Sequence, residues 1–315
     1  MTKSDVILIS GATGFVASYI ARTFALSGKS VHLLVRDSSN LWRLNDIIDK
    51  FVLHTVDLTN RTQVQEVVRK IRPTKIFHLA TYGAYPQQKD TSLMINTNIH
   101  GTMNLVDACA EVGFDSFINV SSSSEYGVKN KPMSETDVLN PNNLYGMTKA
   151  FATQYCQNLA RTKSLPIMTF RIFAAYGYFE EPKRLIPSVI LAYLNKKSPK
   201  LSSPTSVRDF IFIEDIFDAL RVASEKPLIG EVFNLGTGTQ YSIADVASIV
   251  SDITEVGLNP EWGSVGIKQH EPQTWVADMS KTRSLLNWAP KNSLKEGLRK
   301  TIEWFRKNKD TYERI

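Results

Sequence analysis

The stretch that most constrains the fold lies near the start of the chain, where the apolar run Val6–Ile9 precedes Ser-Gly-Ala-Thr-Gly-Phe-Val-Ala. Gly11 and Gly14 stand three residues apart, and Ala17 takes the place of a third glycine in a G-x-x-G-x-x-G pattern. Residues without a Cβ allow a tight turn from strand to helix and a close approach to a pyrophosphate. The free amides that begin the next helix would face that anion. The stretch is typical of a dinucleotide-binding turn, and an ordinary glycine turn is the alternative.

Apolar stretches of strand length alternate with helix-like stretches along the chain. The predicted strands are Val6–Ile9, Val31–Val35, Phe51–Val56, Lys75–Ala80, Ser116–Ser121, Ile167–Ile172 and Val232–Leu235. The predicted helices are Thr62–Ile71, Ser92–Glu111 and Leu144–Lys163. This alternation predicts an α/β fold with a Rossmann-type, doubly wound parallel sheet.

The second half of the chain has a looser pattern, with four prolines between residues 182 and 204. We therefore expect residues 176–315 to form mainly a smaller, substrate-binding lobe over the ligand edge of the sheet. Residues 1–175 are predicted to form the dinucleotide-binding Rossmann domain. Segments within about 205–245 are expected to return to the main sheet, because Val232–Leu235 has a strand pattern.

The composition excludes several classes of protein. The net charge is +6, but the basic residues are scattered rather than interleaved with aromatic residues, so nucleic acid is not expected as a partner. A mild positive bias suits a small anionic substrate. No apolar run approaches the roughly 20 residues of a membrane helix, and because the first strand is predicted to begin at Val6, we expect no signal peptide. Two cysteines, Cys109 and Cys156, make neither a disulfide framework nor a metal site, so we expect a cytoplasmic protein without a metal.

The strongest chemical signal is Tyr145-Gly-Met-Thr-Lys149 on a predicted helix. Residues four apart lie on one helix face, and the lysine charge is expected to lower the pKa of the tyrosine, which makes it a general acid or base. A serine run, Ser121–Ser124, ends a predicted strand at the carboxyl edge, where open α/β sheets bind ligands. We expect these two segments to meet.

Together, the glycine turn, the serine run before Tyr126-Gly127 and Tyr145-x-x-x-Lys149 resemble the extended short-chain dehydrogenase/reductase family. More narrowly, the chain resembles the nucleotide-sugar epimerase/dehydratase/reductase group, over nearly its whole length. Further segments that carry the likeness are Val56–Leu58, His78–Ala80, Asn98–Thr102, Arg208–Asp215, Asn234–Gly238 and Ala277–Lys281.

The resemblance implies catalytic roles for three residues. Ser122 would hydrogen-bond the reacting sugar oxygen, Tyr145 would be the acid/base, and Lys149 would hold the ribose hydroxyls and tune Tyr145. The implied cofactor site consists of Gly11, Thr13, Gly14, Phe15, Val16, Arg36, Asp57, Leu58, Leu79, Ala80, Tyr145 and Lys149. The implied substrate contacts are Ser122, Ser123, Ser124, Arg184 and Arg208. Arg208 would meet the substrate diphosphate, unless it is a surface arginine paired with Asp209.

The end of the second strand favours NADP over NAD. Val35 stands where an acidic residue would bind the ribose 2′-hydroxyl of NAD, and Arg36 follows it. An arginine there accommodates the 2′-phosphate of NADP, and Arg43 lies beyond. Asp37 could still reach the hydroxyl, which keeps NAD open.

Departures from the family pattern bear on the reaction. Ser122–Ser124 stands where the related dehydratases carry Thr-Asp-Glu, and Glu125 is expected to point away, so dehydration is disfavoured. The family's Arg-x-Phe-Asn is Arg171-Ile-Phe-Ala174, which indicates an altered sugar pocket. The usual late arginine has no clear counterpart in the segment that begins at His270, which is expected to be an exposed loop histidine.

The favoured activity is reduction of a 4-keto-6-deoxysugar linked to a nucleotide diphosphate. A nucleotide-sugar 4-epimerase with retained NAD is the alternative, then a dehydratase, and more remotely a non-catalytic dinucleotide-sensing protein. Family analogy further implies a homodimer through a four-helix contact of the helices near Ser92–Glu111 and Leu144–Lys163.

Overall fold

The structure, a computed structural model, describes residues 5–226, 228–265 and 272–313. In chain order its strands are β1 (Val6–Ser10), β2 (Ser30–Val35), β3 (Val52–Thr55), β4 (Lys75–His78), β5 (Ser116–Ser122), β6 (Ile167–Ile172), β7 (Ala174–Tyr176), β8 (Lys200–Leu201), β9 (Val207–Phe212), β10 (Val232–Leu235), β11 (Gln240–Ser242) and β12 (Glu261–Trp262). Its helices are α1 (Phe15–Leu26), α2 (Arg61–Ile71), α3 (Thr91–Ile95), α4 (Gly101–Val112), α5 (Leu144–Lys163), α6 (Leu185–Leu194), α7 (Ile213–Glu225), α8 (Ile243–Thr254), α9 (Ser280–Leu286), α10 (Leu294–Lys307) and α11 (Lys309–Glu313). A π-helical turn spans Asn96–His100, and 3₁₀-helical segments span Asn45–Lys50 and Ser123–Glu125.

Seven of the described strands form the main sheet, in the order β10-β6-β5-β4-β1-β2-β3 and with every pair parallel. This arrangement confirms the predicted doubly wound α/β fold. The central strands are apolar and buried, β6 along its whole length, because helices cover both faces of such a sheet.

The predicted bounds of α5, β6 and β10 agree with the structure. Helix α5 begins after Asn143, whose side-chain oxygen accepts a hydrogen bond from the Gly146 amide at 2.8 Å and so caps the helix. The single helix predicted over Ser92–Glu111 is wrong in detail. The structure divides it into α3, the π-helical turn and α4, and the turn holds the buried Asn98.

Beside the main sheet lie two small sheets built from later parts of the chain. One has the order β11-β9-β7 and the other pairs β12 with β8. Strand β10 lies in the main sheet, where Val232 pairs with Thr169, whereas β9 and β11 lie in the small sheet. The division into domains at residue 175 stays a prediction.

The carboxyl ends of β1, β3, β4 and β5 lie along one edge of the main sheet, since the strands are parallel. The polar and glycine-rich segments that follow these strands therefore line one cleft edge. Away from that edge, Cys109 and Cys156 are buried in α4 and α5, and burial raises the pKa of Cys156 to about 12. No helix among the described residues combines the length and apolarity needed to cross a membrane.

Candidate active site

The turn between β1 and α1 fits a diphosphate. Gly11 has a φ of +70°, and a Cβ built on it would lie 2.6 Å from the Ala80 backbone nitrogen, so only glycine allows this close approach. The Gly14 amide donates to the Gly11 carbonyl at 2.9 Å and closes the turn. Gly14 caps α1 without a side-chain acceptor, and the first turn of α1 holds no acidic residue. Its amides are therefore suited to an anion.

The other predicted cofactor residues follow neighbouring strands at the same edge. Asp57 is exposed after β3, and its carboxylate accepts hydrogen bonds from the Thr59 amide at 2.9 Å and the Thr59 hydroxyl at 2.8 Å. Leu58 and Ala80 are buried and Leu79 is half-buried. These positions follow neighbouring parallel strands at the edge that carries the glycine turn, an arrangement suited to an extended dinucleotide. Phe15 and Val16 turn their side chains to the core, so their contribution would come from backbone amides.

Arg43 has a different role from the one its sequence position suggested. Its side chain is 7% exposed, and Nε donates to the Phe179 carbonyl at 2.7 Å while Nη1 donates to the Thr13 carbonyl at 3.0 Å. Arg43 thus joins the glycine turn to the segment after β7, and its guanidinium is not directed to a ribose phosphate. Arg36 is exposed directly after β2, and its role in selecting the cofactor stays a prediction.

Ser122 and Tyr145 meet at the carboxyl edge. Ser122 ends β5, Tyr145 lies in the first turn of α5, and both Ser122 and Thr81 act as hydrogen-bonding neighbours that lower the pKa of the Tyr145 hydroxyl. Burial nevertheless raises the pKa of Tyr145 above its usual value. The expected lowering by Lys149 is therefore wrong for this structure, because burial outweighs the groups that oppose it.

Lys149 lies beneath the site and is buried. Its Nζ donates to the Val120 carbonyl of β5 at 2.8 Å. Burial lowers the pKa of Lys149 to about 8, with Glu125 acting in the opposite direction. The ammonium group is therefore still charged at neutral pH and is held against the catalytic strand.

The rest of the serine run is tied down by neighbouring segments. Ser122 Oγ accepts from the Ser124 amide at 3.1 Å. Ser123 is buried, and its Oγ accepts from Trp275 Nε1 at 3.1 Å. Trp275 was not among the predicted site residues. Its one sequence signal is that it directly precedes the Val276-Ala277 segment next to the recognised Ala277–Lys281 motif.

Glu125 points away from the site, as expected, but for another reason. It ends a 3₁₀-helical segment rather than continuing a strand, and it is fully buried. Its carboxylate accepts from Arg171 Nε at 2.7 Å, from the Thr153 hydroxyl at 2.6 Å and from the Ser121 hydroxyl. This network is structural, so Glu125 is not available as a catalytic acid or base.

The two predicted substrate arginines lie on elements that follow β6. Arg208 lies in β9, its Nη1 donates to the Val207 carbonyl at 2.6 Å, and its guanidinium lies 5.7 Å from the centre of the Trp275 ring. The alternative pairing with Asp209 is wrong. Asp209 is buried and accepts from the backbone amides of Thr237, at 2.7 Å, and of Gly238 and Ala277.

Arg184 precedes α6 and lies near the site. Its Nε is 3.8 Å from a Glu180 carboxylate oxygen, and its guanidinium lies 5.9 Å from the centre of the Tyr85 ring. Its charge also acts to lower the pKa of Tyr145. His270 lies outside the described residues.

Asn98 joins two segments of the site. Its side chain accepts from the Tyr82 amide at 2.8 Å and donates to the Thr148 hydroxyl at 2.9 Å. It thus links the segment after β4, which carries Thr81, to α5, which carries Tyr145. Thr81 was also missed by the sequence analysis, although it directly follows the recognised His78–Ala80 segment.

This geometry defines a Rossmann fold that has a glycine turn suited to a dinucleotide and, at the same carboxyl edge, the Tyr145 hydroxyl beside Ser122. Residues 7–236 match the sequence profile of the NAD dependent epimerase/dehydratase family. The chain belongs to that family, which confirms the resemblance drawn from the motifs.

Individual relatives show how far the similarity extends. The trifunctional UDP-glucose 4,6-dehydratase/UDP-4-keto-6-deoxy-D-glucose 3,5-epimerase/UDP-4-keto-L-rhamnose-reductase of Arabidopsis thaliana is 31% identical over 97% of this chain, which spans about half (48%) of that relative. UDP-glucuronate 4-epimerase of Thermodesulfobacterium geofontis is 28% identical over 96% of both chains. The structure of UDP-glucuronic acid 4-epimerase from Bacillus cereus, in complex with UDP-glucuronic acid and NAD, gives a TM-score of 0.84 at 28% identity, over 96% of this chain and 99% of that one.

The glycine turn provides a first prediction. Gly11→Ala is expected to lower dinucleotide affinity at least tenfold, because the added Cβ would push the turn away from the Ala80 backbone. Gly28→Ala is the matched control. Gly28 also has a positive φ, of +78°, but no atom of the described residues lies within 4 Å of its Cβ position. It should carry only roughly 1–2 kcal/mol of backbone strain. Dinucleotide titration of both variants checks this, and equal affinities would contradict it.

Proposed function

We propose that this protein is an NAD(P)-dependent oxidoreductase that acts at C4 of a nucleotide-diphosphate sugar, with reduction of a 4-keto-6-deoxysugar as its net reaction. The observation that carries the proposal is the Tyr145 hydroxyl, which is held protonated by burial beside Ser122 at the carboxyl edge. A protonated phenol can donate to a keto oxygen. The names of the relatives, which act on UDP sugars, support this substrate class.

The proposed mechanism assigns one task to each residue. A nicotinamide dinucleotide, when bound, supplies the hydride for C4. Tyr145 gives its proton to the C4 oxygen as that oxygen gains negative charge. Ser122 donates a hydrogen bond to the same oxygen and stabilises the developing charge. Lys149, fixed on Val120, supplies positive charge below the tyrosine and is suited to hold the ribose hydroxyls.

A 4-epimerase is the second candidate, because two full-length relatives carry that name and the Bacillus cereus complex contains NAD. The same three residues would serve, since Tyr145 would first remove and then return the proton of the C4 hydroxyl.

The choice between NADP and NAD depends on the arginines near the end of β2. Because Arg43 is buried and bonded to the Thr13 carbonyl, it does not support NADP, whereas the exposed Arg36 does. We therefore propose NADP as the preferred cofactor on Arg36 alone. Dehydration is less favoured, because Glu125 is held in its buried network.

The experiment that tests the proposal starts from the dinucleotide that copurifies with the protein. We expect an empty protein that consumes NADPH faster than NADH when a dehydratase supplies the 4-keto-6-deoxy derivative of dTDP-glucose or UDP-glucose. Near-stoichiometric bound dinucleotide, together with interconversion of C4 epimers and no net loss of NADPH, would replace the reductase by the epimerase. Replacing Arg36 with Ala should reduce the preference for NADPH. Lys29→Ala, at the opposite end of β2, is the control.

We further propose a homodimer that uses the outer face of α4 and α5. The Tyr155 hydroxyl of α5 donates to the Asp107 carboxylate of α4 at 2.8 Å, so the two helices form one surface. Met147 and Phe151 lie four residues apart on α5 and are both exposed, Phe151 by 44%. Phe151→Glu is expected to shift the molar mass measured by light scattering from dimer to monomer. Leu26→Glu, at a position that is 61% exposed on α1, should leave the mass unchanged.

A further inference from the structure

Trp275 is held in place by its own backbone and by the segment that follows it. Its amide donates to the Gln240 side-chain oxygen at 2.9 Å. The next carbonyl, of Val276, accepts from the Met133 amide at 2.9 Å, and the Ala277 amide donates to Asp209 at 3.1 Å. These hydrogen bonds hold the backbone at Trp275 and just after it, and so limit where the indole can lie.

The indole spans two parts of the cleft that come from different elements. At one end Nε1 donates to Ser123, which adjoins the proposed catalytic Ser122. At the other end, the Arg208 guanidinium of β9 lies 5.7 Å from the ring centre. The side chain is only half-buried, so part of its surface remains open between the serine run and Arg208.

In the proposed function, the C4 oxygen lies at Ser122 and Tyr145, and the diphosphate lies at Arg208. The part of the ligand that must lie between these two points is the sugar ring. We infer that Trp275 forms a wall of the sugar subsite and stacks against the pyranose, so that it contributes to binding of the sugar and not of the nucleotide. This inference rests on the proposed function and deepens it.

The chemistry of the wall follows from the hydrogen bond to Ser123. The indole N–H is already committed to the Ser123 oxygen, so the indole offers the sugar an apolar π surface and no donor. Ser123, which is buried, accepts this hydrogen bond and so fixes the position of the indole beside the serine run. A wall of this kind suits the C–H bonds on one face of a pyranose ring.

The test compares ligands with and without the sugar. The holoprotein, saturated with dinucleotide, is titrated calorimetrically with UDP-glucose and UDP, and with dTDP-glucose and dTDP. Trp275→Ala is expected to weaken the sugar nucleotides by roughly five- to tenfold, the loss of one aromatic stacking contact, and to leave UDP and dTDP unchanged. Trp275→Phe keeps a stacking ring without the N–H and should retain most of the affinity for the sugar nucleotides. Trp262→Ala, an exposed tryptophan in β12, is the matched control and should change neither.

Fluorescence gives a second readout that does not depend on turnover. UDP-glucose or dTDP-glucose should quench part of the tryptophan emission of the wild type, and that part should be missing in Trp275→Phe. If Trp275→Ala weakens UDP and UDP-glucose by the same factor, or weakens neither, the inference is overturned while the proposed function stands. If the wild type binds none of the four ligands, the proposed function fails and the inference fails with it.

Discussion

Tyr145→Phe is expected to lower kcat by about a thousandfold while the fold and the dinucleotide affinity stay unchanged, since general acid catalysis contributes roughly 10²–10⁴-fold. The substitution removes one oxygen and keeps the buried ring. Ser122 and Thr81, the hydrogen-bonding neighbours of the phenol, would remain, but an aliphatic hydroxyl is a far weaker acid than a phenol. NADPH oxidation with a 4-keto-6-deoxy sugar nucleotide measures turnover, and dinucleotide titration measures the retained affinity.

Tyr155→Phe is the matched control for this variant. Tyr155 lies further along the same helix, and its hydroxyl donates to the Asp107 carboxylate of α4 at 2.8 Å. Its loss should leave kcat unchanged within about twofold, because it removes only one exposed-side hydrogen bond of roughly 1 kcal/mol. Unchanged turnover in Tyr145→Phe as well would remove Tyr145 as the acid. A wild type that binds the dinucleotide but turns over no sugar nucleotide would instead favour the non-catalytic, dinucleotide-sensing alternative.

Arg171→Leu is expected to lower the free energy of unfolding by about 3–5 kcal/mol, because it leaves a buried charge without its partner. Glu125 is fully buried, and Arg171 Nε at 2.7 Å is its cationic partner. Arg171 also donates to the Tyr126 hydroxyl at 3.0 Å, which in turn donates to Asn234 of β10 at 2.6 Å. Urea unfolding of the purified protein measures the difference.

Arg221→Leu serves as the comparison for Arg171→Leu. Arg221 pairs with Asp218 at 2.8 Å and Glu225 at 3.1 Å on the partly exposed face of α7, where an ion pair contributes less than about 1 kcal/mol. A loss in Arg171→Leu no larger than in Arg221→Leu would show that the Glu125 network is not needed for stability.

The elements with local signals could be predicted from the sequence, whereas those set by distant contacts could not. Helix α5 has its N-cap in Asn143, so its start follows from the chain itself. The π-helical turn at Asn96–His100 has no such local mark. The turn is stabilised by hydrogen bonds of the buried Asn98 side chain to Tyr82 and Thr148, which lie 16 and 50 positions away in the sequence.

The same distinction explains the site. Gly11, Ser122 and Tyr145 belong to short motifs, and the fold brings their segments to one edge as expected. The partners of Arg43 and Trp275 could not be inferred, because Arg43 contacts a residue 136 positions away and Trp275 contacts one 152 positions away. The direction of the Tyr145 pKa also depends on burial, which the spacing to Lys149 does not reveal.

The position of β10 has a consequence for any attempt to work with part of this chain. A fragment that ends at residue 175 would contain every proposed catalytic side chain but would lack β10. The Thr169 and Phe173 amides, which now donate to Glu231 and Leu235 at 2.9 Å, would lose their acceptors, and β6 would become an uncovered edge strand. Unprotected strands of this kind pair with other chains and aggregate. We therefore expect that residues 1–175 do not form a soluble domain on their own. Their sheet is completed by the four residues of β10, which come from the later part of the chain.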